Sequence, residues 1–128
     1  MGMTRTRQPL WVIVFIVLAT LALAAPLWGP GMVHTRGGGD SPFLLQRTHQ
    51  LVQNLRSGTF PVRWMPDSSY GLGYPFYNYD SALPYYLAGV LVLAGIDILA
   101  ALRFVQTLGF VLSAIAMSGW MLRLTRSR

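Results

Sequence analysis

The sequence predicts an all-α membrane protein with two transmembrane helices, an extracytoplasmic amphipathic helix beside the bilayer and an aromatic-rich loop; an alternative count gives three spans. Three observations lead there. Only 11% of the 128 residues are charged, where a soluble domain carries about 25%. The stretches Leu10–Trp28 and Ile98–Leu122 hold one charge between them, Arg103. Arg5 and Arg7 precede the first stretch, and Arg123, Arg126 and Arg128 follow the second. Basic flanks of this kind mark cytoplasmic ends under the positive-inside rule.

The first element after a cytoplasmic N-terminus (1–9) is LWVIVFIVLATLALAAPLW, residues 10–28. As a helix it reaches about 28 Å, close to the hydrocarbon thickness of a bilayer. Trp11 and Trp28 stand at its ends, where interfacial tryptophans are expected. Pro26 lies in its last turn and Gly29-Pro30-Gly31 ends it. A cleaved signal peptide is the rival reading, with Ala22-Leu23-Ala24 as cleavage site. The apolar run continues past that site through Ala25, Leu27 and Trp28, which favours an uncleaved anchor.

Residues 29–82 form an extracytoplasmic loop with an amphipathic helix at 42–57. Ser41 suits the N-cap, Pro42 the first helical position and Gly58 the stop. Leu44, Leu45, Leu51, Val52 and Leu55 recur at helical spacing, while Gln46, Arg47, His49, Gln50, Gln53 and Asn54 fall on the other side. Such a helix, tethered after a span, is expected to lie in the interface plane. The following PVRWMPDSSYGLGYPFYNYDSALPYY has no period and reads as an ordered loop, with turns near Pro66-Asp67 and Gly71–Gly73.

The second apolar region divides at Gly95-Ile96-Asp97. Residues 83–95 are short for a span, whereas 98–122 suffice, with Asp97 as N-cap and 123–128 as a cytoplasmic basic end. Treating 83–95 as a partly inserted helix on the outer side keeps every terminal arginine in the cytoplasm. Counting it as a short span gives the three-span alternative.

The net charge of +6 does not point to nucleic acid, because no basic stripe interleaved with aromatics occurs on any element. With no cysteine, disulfides, thiolate metal sites and cysteine nucleophiles are excluded. No phosphate-binding glycine loop, nucleophile elbow or zinc signature is present.

Candidate chemistry concentrates in the external loop. Asp40 follows Gly37-Gly38-Gly39 at the start of the amphipathic helix. It reads either as a helix-terminal charge worth roughly 0.3–1 kcal/mol or as a general base or metal ligand at the membrane face. His49 reads as solvated or as a ligand contact, and no metal-ligand spacing joins it to His34. Arg47 and Arg56 read as lipid-phosphate contacts or as solvated cations. Tyr70, Tyr74, Phe76, Tyr77, Tyr79, Tyr85 and Tyr86 form an aromatic cluster. An interfacial belt is expected for Tyr85 and Tyr86, and sugar stacking is open for the others. Asp67 and Asp80 suit turns. Arg103 either snorkels to the outer interface or marks a function inside the membrane.

The order of an anchor, then GGGDSPFLLQRTHQLVQNLRSGTFPVRWMP, GLGYPFYNYDSALPYYLAGVL and ALRFVQTLGFVLSAIAMSGWMLRL resembles the start of large bacterial membrane proteins with a GT-C-type glycosyltransferase fold. It is most similar to the membrane family labelled 6-pyruvoyl-tetrahydropterin-synthase-related and to YfhO-like proteins, over residues 10–124. The resemblance implies transfer of a sugar from a polyprenyl-phosphate donor on the outer face of the bacterial inner membrane. It also implies a catalytic or metal-organising aspartate in the first external loop, a position that Asp40 matches. Arg47, His49, Arg63 and Tyr74 are then the candidate contacts to substrate or lipid phosphate. The sequence specifies no cofactor, a divalent metal being one such a site could take; membrane lipids and the sugar donor are the expected partners. Members of the fold carry many more spans and a second external loop. The chain is therefore expected to be the N-terminal part of a longer enzyme, inactive alone. The alternative is a small non-enzymatic membrane-anchored protein that binds a lipid or partner through its external loop.

Overall fold

A computed structural model of the chain describes residues 10–30 and 41–126. Helices hold 74% of the described residues, which include no strand. The chain forms two compact units, Met1–Gly29 with Thr107–Arg128, and Pro30–Gln106.

In the first unit α1 (Leu10–Ala24) passes into a 3-10 turn at Ala25–Trp28. Pro26 has no N–H to continue the helical ladder, and the Gly29 N–H closes the turn on the Pro26 carbonyl at 3.3 Å. The lone hydroxyl of α1, on Thr20, donates to the Ile16 carbonyl at 2.7 Å. Leu10, Trp11, Phe15, Leu18 and Leu23 are exposed, as are Phe110, Leu112, Met117 and Trp120. A helix that is apolar all round needs either a protein core or lipid around it. Only 6% of the α1 stretch and 17% of the α5 stretch are buried, so the described residues of this chain do not provide the cover. These are two helices long and apolar enough to cross a membrane.

Trp28 does more than mark an end: its indole N–H donates to the Thr107 hydroxyl at 3.1 Å, on α5 (Ile98–Arg126). The 29 residues of α5 extend about 44 Å, well beyond a hydrocarbon core of about 30 Å. Thr107–Arg126 alone covers about 30 Å. The element expected at 98–122 begins at Ile98 as expected and continues to Arg126; its first part, Ile98–Gln106, belongs to the second unit, where Ala101 and Leu102 are buried.

The second unit is built on α2 (Ser41–Arg56) and α4 (Leu83–Leu93), joined by a long loop that contains the single-turn α3 (Phe76–Tyr79). Both longer helices end alike. The Gly58 N–H bonds the Leu55 carbonyl and the Thr59 N–H the Asn54 carbonyl; after α4, Gly95 and Ile96 bond Val92 and Leu91 in the same way. Glycine in the left-handed region makes this double bond pattern at a helix end without a Cβ penalty. Asp97 caps α5 as its position predicts, accepting from the Leu99 and Ala100 N–H groups at 2.9 and 3.2 Å.

The core of this unit joins Leu51, Val62, Met65, Phe76, Tyr77 and Tyr85, and a second cluster joins Ala88, Ala101 and Leu102. Helices α2 and α4 approach closely at Gly89, where an added Cβ would stand 2.8 Å from Leu51 Cδ2. Full burial of a leucine such as Leu51 contributes about 1.5–3 kcal/mol. This packing corrects the expectation that α2 offers its apolar face to the bilayer: α4 and the loop cover Leu51 and Val52. Its polar side is not all solvated either. Thr48 and Gln50 are buried: the Thr48 hydroxyl bonds the Leu44 carbonyl and Gln50 Oε1 accepts the Asp67 N–H at 3.1 Å, while Gln50 Nε2 has no partner among the described residues. The opposite face of α4, with Leu83, Leu87, Val90 and Leu93, is exposed.

Candidate functional site

Arg47 lies in the second turn of α2, four residues after Phe43, so the two side chains share a helix face. Its guanidinium is 5.8 Å from the Phe43 ring centroid and 4.3 Å from that of Phe76. A cation over an aromatic face is held by the ring quadrupole, most strongly at the shorter distance. Nη1 also donates to the Tyr85 hydroxyl at 3.2 Å. Phe76, Tyr77 and Tyr85 meet edge to face with centroids 5.3–6.2 Å apart, so the support beneath the guanidinium is itself locked. The Tyr77 hydroxyl donates to the Arg47 carbonyl. Burial holds the Tyr77 phenol well above its ordinary value, Tyr85 and Tyr86 add to this, and Arg47 partly opposes it. The phenol therefore remains a donor, fixing the α2 backbone at the residue whose side chain it helps to seat.

Beside this assembly is an open cleft of about 300 Å³ lined by Phe43, Gln46, Arg47, Met65, Ser68, Ser69, Tyr74 and Phe76. Among the described residues no carboxylate pairs with Arg47. The cleft thus combines one oriented cation, the hydroxyls of Ser68, Ser69 and Tyr74, an amide and two aromatic faces. The cleft can hold an anion and adjacent hydroxyl groups, and its described lining includes no carboxylate or imidazole.

Of the residues expected in the site, the structure brings Arg47 and Tyr74 together. His49 lies in a different cleft of about 440 Å³, with Arg56, Gly95 and Asp97, and approaches Gln53 Nε2 at 3.4 Å. Arg63 is exposed and lines neither cleft. Asp40 lies outside the described residues, as does His34. Among the described residues no three or more His, Asp or Glu side chains gather to hold a metal ion.

The belt expected for Tyr85 and Tyr86 is not what the structure has. Tyr85 is 6% exposed and serves Arg47, and the Tyr86 hydroxyl accepts the Val62 N–H at 2.6 Å. Packing against α2 and the loop satisfies both hydroxyls inside the protein. Phe43, Gln46, Ser68 and Ser69 enter the site unforeseen, and Phe76, expected only as one of the aromatic cluster, joins them. The spacing of Phe43 and Arg47 was the available signal for the first, and nothing local in the sequence brings Phe76 to Arg47. Compared with known protein families, curated proteins and solved structures, the chain matches none.

Proposed function

We propose that the chain is the membrane-anchored N-terminal part of a glycosyltransferase that uses a polyprenyl-phosphate sugar, and that the Arg47 cleft receives the phosphate-bearing head of this lipid. The observation that carries the reading is the Arg47 guanidinium, oriented on Phe76 and Tyr85 without a carboxylate partner among the described residues. A fixed planar cation with free N–H groups suits bidentate phosphate recognition. Ser68, Ser69 and Tyr74 add the hydroxyls and ring that a sugar would use.

On this reading α1 and the Thr107–Arg126 part of α5 cross the bacterial inner membrane with both ends in the cytoplasm, and residues 29–82 are extracytoplasmic. The exposed Leu83, Leu87, Val90 and Leu93 face of α4 supports partial insertion of that helix, whose 11 residues reach only about 16 Å. Asp40, next to the first residue of α2, is the proposed base or metal ligand. Its role is tested by Asp40→Asn in a full-length relative with transfer activity: sugar transfer lost supports the role, and transfer unchanged within a few-fold refutes it.

One observation favours a second reading, a non-enzymatic lipid-binding protein: the described residues lining the cleft include no carboxylate. Binding of polyprenyl phosphate to the reconstituted chain, with no transfer activity in any longer form, would select it.

A further inference from the structure

The loop between Met65 and Tyr74 turns outward in a conformation that its sequence does not favour. Ser69 and Tyr70 are consecutive non-glycine residues with φ of 54° and 59°, followed by Gly71 at 84°. Left-handed serine and tyrosine side by side are strained and persist only where surrounding contacts impose them. Those contacts are present. Met65 and Tyr74 exchange N–H···O bonds of 2.8 and 3.0 Å, Gly73 N–H bonds the Ser68 carbonyl at 2.9 Å, and Leu72 N–H the Ser69 carbonyl at 3.1 Å. The Trp64 indole closes the base over Gly73, where an added Cβ would collide with the ring at Nε1. The result is a rigid tip on which Tyr70 is wholly exposed and Leu72 83% exposed. A soluble loop gains nothing from holding two large side chains in water by backbone strain.

We propose that this tip is a membrane-inserting element: Tyr70 and Leu72 enter the headgroup region of the bilayer and give the second unit a lipid contact of its own. Three observations select lipid as the occupant. No charged residue occurs between Asp67 and Asp80, so the tip enters the interface without desolvating an ion. Tyrosine, with an apolar ring and a polar end, is a preferred interfacial side chain. Two side chains are also far too little for a stable protein interface, which buries about 1,200–2,000 Å². The unit is joined at both ends to helices long and apolar enough to cross a membrane, so a small lipid contact acts at high effective concentration. The inference rests on those helices and not on the ligand of the Arg47 cleft. Because the tip is uncharged, its insertion is insensitive to salt and to anionic lipid.

The chain has no cysteine, so one environment-sensitive fluorophore can be placed at Tyr70→Cys or at Leu72→Cys, with exposed Ser57→Cys as reference. The full chain is reconstituted in vesicles of phosphatidylcholine, with or without a minority of phosphatidylglycerol. Insertion predicts blue-shifted emission at 70 and 72, quenching by lipids nitroxide-labelled near the headgroup, and several-fold weaker iodide quenching than at 57, alike in both vesicle types. Equal iodide quenching at 70, 72 and 57 overturns the proposal. So does shielding from iodide without nitroxide quenching, which means that protein covers the tip. Failure of the helices to enter vesicles at all would show separately, as label and protein remaining in the aqueous fraction.

Discussion

The guanidinium of Arg47 lies 4.3 Å above the Phe76 ring while one of its N–H groups rests on the Tyr85 hydroxyl 3.2 Å away. Two residues far apart in sequence thus aim a single cation. If this orientation matters for binding, Arg47→Lys should fail as surely as Arg47→Gln, because an ammonium has neither the planar fork nor the stacking of a guanidinium. Losing hydrogen bonds to a charged group costs about 1.5–3 kcal/mol, or roughly ten- to a hundredfold in affinity. Polyprenyl-phosphate titration of the reconstituted variants reads this directly. Tyr85→Phe should weaken binding less, since the Phe76 stacking remains.

Packing between α2 and α4 makes an opposite pair of glycine predictions. Gly89→Leu drives a side chain into Leu51 and should destabilise the second unit by about 1–3 kcal/mol. Gly109 has nothing within 4 Å of its added Cβ. Gly109→Leu should be neutral or stabilising, as helix propensity favours leucine over glycine by about 0.8 kcal/mol. Protease resistance of the reconstituted chain separates the two.

Tyr77 predicts a pH dependence. Its phenol lies above the ordinary 10.0 in the folded state, mainly through burial. The folded state therefore holds the proton more tightly than the unfolded state. This contribution to stability is complete below pH 10.0 and is lost as pH rises through the raised folded value. Amide exchange at Leu51 should accelerate above pH 10.0 more steeply in the native chain than in Tyr77→Phe. At neutral pH that variant should lose about 0.5–1.5 kcal/mol with its hydrogen bond to Arg47.

Asp97 holds the first turn of α5 through two N–H groups. Asp97→Ala should cost about 0.5–2 kcal/mol, seen as faster amide exchange at Leu99 and Ala100 with Trp120 unaffected.

Elements governed by local rules were legible in the sequence. Apolar runs with a single charge between them located α1 and α5, Gly58 marked the end of α2, and Asp97 the start of α5. What the sequence concealed depends on tertiary packing. Gln50 looks solvated by helical periodicity, yet the Asp67 N–H draws it inside. Tyr85 looks interfacial beside an apolar run, yet α2 lies over it and uses its hydroxyl. The packing of the first part of α5 was hidden for a related reason: an apolar residue such as Leu102 reads the same whether lipid or Ala88 covers it. The site was half legible. Arg47 and Tyr74 converge, while the ring that orients Arg47 comes from Phe76, a residue 29 positions further along the sequence.

The central claim is a membrane-anchored chain whose second unit lies outside the cytoplasm, and side-selective labelling tests it most directly. In this cysteine-free sequence, Ser57→Cys and Thr125→Cys are expressed separately and treated in intact cells with a membrane-impermeant maleimide. The account predicts that Ser57→Cys is modified at once and Thr125→Cys only after the membrane is opened. Modification of Ser57→Cys only after permeabilisation would contradict it.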